Sequence, residues 1–79
     1  MEDQEPLLAP MNKREREILA RLATGLSDQQ IADELFLSLH TIKWYNRQIF
    51  SKLGVSSRTQ AITKARALGL IGANDPLAS

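Results

Sequence analysis

The sequence predicts an all-α fold, a compact four-helix domain whose second and third helices form a helix-turn-helix. Three observations lead there. A Ser or Asn followed three residues later by Glu or Gln occurs at Asn12–Glu15, Ser27–Gln30 and Ser57–Gln60. In this pairing two side chains satisfy backbone amides that the first turn of a helix leaves free. Behind each signal, apolar residues return at steps of three and four, and no alternating pattern competes with them. Glycines at 25, 54 and 69 stand where the first, third and fourth helices should stop.

The first helix opens at Asn12, carries Ile18, Leu19, Leu22 and Ala23 on its inner side, and ends at Gly25. Ser27 opens a short second helix that should bury Ile31, Ala32 and Leu35. Ala32 is small where the two helices of the motif must approach closely, and Leu37 turns the connection back into the core. Ser38 is the expected N-cap of the third helix, which should run to about Leu53 and stop at Gly54. On a 3.6-residue wheel Ile42, Tyr45 or Asn46, Ile49 and Leu53 share one side. That side should pack on Ile18, Leu22, Ile31, Leu35 and Ile62. The fourth helix starts at Ser57 and continues through Ala61, Ile62, Ala65 and Leu68. Residues 1–10, with two prolines and an acidic cluster, read as a linker, residues 11–71 as the domain, and 72–79 as a tail. Leu7 and Leu8, bracketed by prolines, are free to tuck against the bundle.

Composition removes several function classes. With 79 residues the chain forms one domain at most. It has no cysteine, hence no disulfide framework, no zinc-finger spacing and no thiol nucleophile. A single His, no glycine-rich phosphate loop and no carboxylate pair suited to acid–base work argue against an enzyme. Neither a cofactor, a metal nor a small-molecule ligand is expected. The apolar runs are too short for a membrane span, and no basic segment precedes an apolar one at the amino end as in a secretory signal. A cytoplasmic location is the expectation.

The net charge of +1 conceals a polarised distribution. Residues 25–37 hold three acids and no base, whereas residues 38–71 hold Lys43, Arg47, Lys52, Arg58, Lys64 and Arg66 with no acid. Such asymmetry suits a polyanion on one face, although a solvated helix surface looks the same by charge alone. The third helix sharpens the reading. His40, Lys43, Trp44 and Arg47 fall on a second stripe, away from the apolar seam. Arg bridges O6 and N7 of guanine with two parallel hydrogen bonds, and Lys reaches the same atoms or a phosphate. Trp44 offers apolar contact to a thymine methyl, and His40 in the first turn is expected beside a phosphate. Free amides at the start of this helix, near Ser38 and Thr41, favour a phosphate as well.

These residues resemble the LuxR-type DNA-binding domain, also called GerE- or NarL-type, over about Pro10 to Ile71. The likeness begins at Met11-Asn12-Lys13-Arg14-Glu15-Arg16-Glu17-Ile18-Leu19, against a family pattern Leu-Thr-x-Arg-Glu-x-Glu-Val-Leu. It continues through Gly25-x-Ser27, Ile31-Ala32, Leu35, Ser38, Thr41-Ile42-Lys43, Ile49, Lys52-Leu53-Gly54-Val55 and Arg58. The resemblance implies a transcription regulator whose third helix enters the major groove of double-stranded DNA. It also implies a homodimer on an inverted repeat, joined through the fourth helix. By position it assigns base reading to Lys43, Trp44 and Arg47, and DNA-backbone contact to Ser38, Thr41, Lys52 and Arg58. Ala61, Ala65 and Leu68 would be shared between core and dimer contact. RNA polymerase is held open as a further partner.

Two positions depart from the pattern. Tyr45 stands where the family often has His, and Asp28-Gln29 where it commonly has Asn-Lys. The second change puts negative charge near the expected DNA surface and bears on affinity more than on fold. Glu5-Pro6-Leu7-Leu8-Ala9-Pro10 and the Ser-Ser-Arg-Thr-Gln-Ala run at 56–61 look most like the large ATP-dependent MalT-like subgroup. An excised carboxyl-terminal domain and a stand-alone regulator both fit a match that starts so near residue 1. The competing readings are a sigma-factor region 4 and a protein-interaction module that keeps the fold without binding DNA. The Lys-Leu-Gly-Val ending and the capped fourth helix argue against the first.

Overall fold

Each helix begins where a short polar side chain caps it. The computed structural model of the chain describes residues 10–71, which form α1 (Lys13–Ala23), α2 (Asp28–Leu35), α3 (Leu39–Leu53) and α4 (Arg58–Ala67). Asn12 accepts from the Glu15 amide while Glu15 accepts from the Asn12 amide, a reciprocal pair at 2.8 and 2.9 Å. Ser27 and Gln30 make the same exchange at α2. Ser38 caps α3 by accepting from the Thr41 amide.

The third expected box is only half made. Ser57 accepts from the Gln60 amide, but Gln60 Oε1 reaches past it to the amide and hydroxyl of Ser56. The cap backbone explains the difference. Its φ is −142° at Ser57, against −86° at Asn12 and −75° at Ser27, so its own amide is turned away from the helix.

All four helices end alike, with an amide reaching back five residues: Leu26 to Arg21, Leu37 to Ala32, Val55 to Phe50 and Leu70 to Ala65. This closure needs a left-handed residue. Gly25 (φ 89°) and Gly54 (φ 71°) supply it after α1 and α3 as expected, and Gly69 does so after α4. After α2 the left-handed residue is Phe36, at φ 58°, and its side chain is 93% exposed. Nothing in the capping and spacing signals pointed to this position, because the usual marker, a glycine, is absent.

The core lies where α1 and α3 meet the other helices, each touching all three of its companions. Ile18, Leu19, Leu22, Ile31, Ile42, Ile49 and Leu53 are all but fully buried, each hiding apolar area that stabilises the fold by about 1.5–3 kcal/mol relative to exposure. Leu35 and Ile62, expected inside, are half-buried at its margin, where Tyr45 also lies. Met11 and Ile71 close the core from beyond the helix ends. Ala32 is wholly buried, and Ala61 and Ala65 bring the α4 backbone down onto the same core. No helix among the described residues is long and apolar enough to cross a membrane. Residues 1–9 and 72–79, including Leu7 and Leu8, lie outside the described residues.

Candidate nucleic-acid interface

With Ile42, Ile49 and Leu53 fixed in the core, the helical period leaves His40, Lys43, Trp44 and Arg47 on the outside of α3. All four are exposed, Trp44 by 46%. The indole meets the ring of Tyr45 edge-on, with centroids 5.1 Å apart and planes at 78°. Tyr45 is half-buried, so it braces a large exposed aromatic from the rim of the core. Among the described residues, His40, Lys43 and Arg47 make no side-chain hydrogen bond or ion pair.

Four cations elsewhere among the described residues are paired with carboxylates. Arg21 pairs with Glu34 at 2.8 Å and joins α1 to α2, and Arg14 pairs with Glu17 at 3.3 Å within α1. Lys52, expected at a phosphate, is turned toward α1 in the free chain. Its ammonium donates to both carboxylate oxygens of Glu15, at 2.7 and 2.9 Å, and to the Pro10 carbonyl at 3.1 Å. Glu15 is 3% exposed, and burying a carboxylate is costly unless a cation and hydrogen bonds compensate it. Lys52 is therefore committed to that charge, pinning the start of α1 to the end of α3.

Arg58 is likewise engaged. Its guanidinium donates to the Leu26 carbonyl at 2.7 Å and lies 3.6 Å from Asp28 Oδ1. Asp28, which the sequence left as a bare negative charge near DNA, accepts from Asn46 Nδ2 at 3.0 Å. Asn46 Oδ1 is buried with no hydrogen-bond partner. Sequence reasoning missed this cluster. Its members are far apart along the chain, and the only hint was that position 28 departs from the usual residue.

At the start of α3 the Ser38 hydroxyl donates to Thr41 Oγ1 at 2.8 Å, leaving the Thr41 proton free for another acceptor. Ser38 is exposed and Thr41 half-buried beside it. On α4 the expected dimer residues divide. Ala61 and Ala65 are 0% exposed and belong to this chain's own core, so they have no surface to offer a second copy. Leu68 is half-buried and, with Gly54, Val55, Thr63 and Ala67, lines an open groove of about 650 Å³.

Two short capped helices joined by a left-handed turn, the second presenting uncommitted cations around an exposed Trp, define a helix-turn-helix DNA-binding domain. Comparison with known proteins agrees and makes the class specific. Residues 9–65 match the model for bacterial regulatory proteins of the luxR family, and the chain belongs to that family. It is 47% identical over 62 residues to the probable HTH-type transcriptional regulator GfsR of Streptomyces halstedii, covering 78% of this chain and 25% of GfsR. It is 38% identical over 60 residues to the HTH-type transcriptional regulator MalT of Yersinia pestis, covering 76% of this chain and 7% of MalT. Regulators named NarL are also among its relatives. The solved structure of the transcription factor GerE superposes with a TM-score of 0.74 at 35% identity, covering 78% of this chain and 92% of GerE. The chain spans about a quarter to a third of the length of several curated relatives it matches. These relatives are named as transcription regulators, and this chain carries their DNA-binding domain.

Proposed function

We propose that residues 11–71 bind double-stranded DNA in a sequence-specific way, with α3 in the major groove. Lys43, Trp44 and Arg47 read base edges. Ser38, His40, Thr41 and the free first-turn amides of α3 hold phosphates and set the docking angle. Lys52 and Arg58 are left out of the contact set, since carboxylates and carbonyls inside the domain hold them. The observation that carries this reading is the cluster of uncommitted cations around Trp44 on one face of α3. Among the described residues His40, Lys43 and Arg47 have no partner and share one exposed face with Trp44, whereas Arg14, Arg21, Lys52 and Arg58 are paired. Lys13, Lys64 and Arg66 also lack a partner among those residues but stand on other helices. A second copy docks on the outer face of α4, over the groove beside Thr63 and Leu68, to give a homodimer on an inverted repeat. RNA polymerase is a further partner of such a regulator, and the cytoplasm is its place of action.

Selection of binding sites from a randomised duplex pool at low salt tests the whole reading. Enrichment of an inverted repeat is the expected result. Salt-sensitive binding without enrichment would remove the base-reading roles, and absence of binding at any salt would leave a protein-interaction module as the better account.

A further inference from the structure

We infer that Asp28 is a positioning residue that sets how many cations the domain presents to DNA, by holding Arg58 inward while it fixes α3 through Asn46. This inference rests on the DNA-binding reading above. Asp28 is the first residue of α2, and it gathers contacts from α3 and α4. Asn46, in the middle of α3 and next in sequence to Arg47, donates to Asp28 Oδ1 at 3.0 Å. Arg58, the first residue of α4, lies 3.6 Å from the same oxygen. One carboxylate oxygen therefore ties the starts of α2 and α4 to the base-reading helix.

The chemistry of each group says what it does there. At 3.6 Å the Arg58 contact with Asp28 is an attraction of charges rather than a hydrogen bond. The hydrogen bond of Arg58 goes to the neutral Leu26 carbonyl. The guanidinium side chain is 42% exposed, so without the carboxylate only the Leu26 bond holds it against the pull of a phosphate. Asn46 depends on Asp28 in a different way, since its Nδ2 has that partner while its buried Oδ1 has none. A carboxylate accepts from Asn46 and cannot donate to it. An amide at position 28 would do both, and would carry no charge to hold Arg58.

Asp28→Asn is therefore the informative substitution, combined with Arg58→Ala in a four-member cycle on a random-sequence duplex. With Asp28 present, Arg58→Ala should leave the salt dependence of binding unchanged. Asp28→Asn should raise affinity several-fold at low salt and steepen the log–log salt slope by about 0.9, the value of one added phosphate contact. In the Asp28→Asn background, Arg58→Ala should abolish that gain. Melting of Asp28→Asn should not fall, because the new amide keeps the Asn46 bond. Equal loss of slope on removing Arg58 in both backgrounds would overturn the inference, since Arg58 would already be on a phosphate.

Side-chain NMR of the free chain reads the hold without DNA. Slow guanidinium rotation at Arg58 in the wild type, averaged out in Asp28→Asn, is expected, and free rotation in the wild type would overturn the proposal. A wild-type chain that restrains Arg58 but binds no duplex would overturn the DNA reading and this proposal together. One that binds with additive slopes would overturn this proposal alone.

Discussion

At the scale of single residues, cationic side chains are placed in opposite settings on the two sides of α3. Arg47 is exposed and unpaired among the described residues, which is what base reading requires. Arg47→Ala is expected to cost about 1–3 kcal/mol on a specific site and to relax base preference at one position. A binding-site profile checks it, and an unchanged preference would remove Arg47 from the reading set. Lys52 has the opposite fate. A fully buried ion pair loses roughly 3–5 kcal/mol when one partner is removed. Here the lysine side chain is 22% exposed and Glu15 keeps the Asn12 amide, so Lys52→Ala should cost about 1–3 kcal/mol. Denaturant unfolding measures that loss. The salt slope of DNA binding should stay where it was, and a shallower slope would restore Lys52 to the phosphate contacts.

At the scale of elements, the turn between α2 and α3 is closed by a residue ill suited to its backbone. A left-handed conformation costs a non-glycine residue roughly 1–2 kcal/mol, and glycine loses about 0.5–1 kcal/mol of that advantage through the freedom of its unfolded chain. Phe36 makes so little packing contact, at 93% exposure, that replacing it forfeits almost nothing inside the domain. Phe36→Gly should therefore stabilise the fold by about 0.5–1 kcal/mol, a rise of roughly 2–8 °C in Tm. A lower Tm would mean that the ring packs on something the isolated chain does not show. The Glu15–Lys52 pair acts at this scale as well. It joins the first turn of α1 to the last turn of α3, so α3 is anchored at its far end while Asn46 holds its middle.

At the scale of the whole molecule, the division within α4 limits where the proposed second copy can dock. Its buried side is two alanines already in contact with the core. The proposed dimer contact therefore falls on the outer side, where Thr63, Ala67 and Leu68 line the groove. Thr63→Arg should lower affinity for paired half-sites by about 100-fold or more through lost avidity. Binding to a single half-site and the melting curve should be unaffected. Equal loss on single and paired sites, in a titration of both duplexes, would place the dimer contact elsewhere.

The fold was legible because helix starts, stops and inner faces are written locally. A capping box spans four residues and an apolar seam repeats every few, so Asn12, Ser27 and Ser38 announced their helices without reference to the rest of the chain. The exposed stripe of α3 was legible for the same reason, since its angle from the seam follows from the helical period. Phe36 in its left-handed turn was not, because hydrogen bonds of the closed helix end, rather than the residue itself, select that conformation. Nor was the assignment of charges. Whether a lysine faces DNA or a buried carboxylate depends on which groups, 37 residues apart for Lys52 and Glu15, the packing brings within hydrogen-bond reach. Sequence by itself determined the helices, their seams and the family. Only the tertiary structure decided which cations remain free, because electrostatic pairing acts through distances in space that local sequence patterns do not encode.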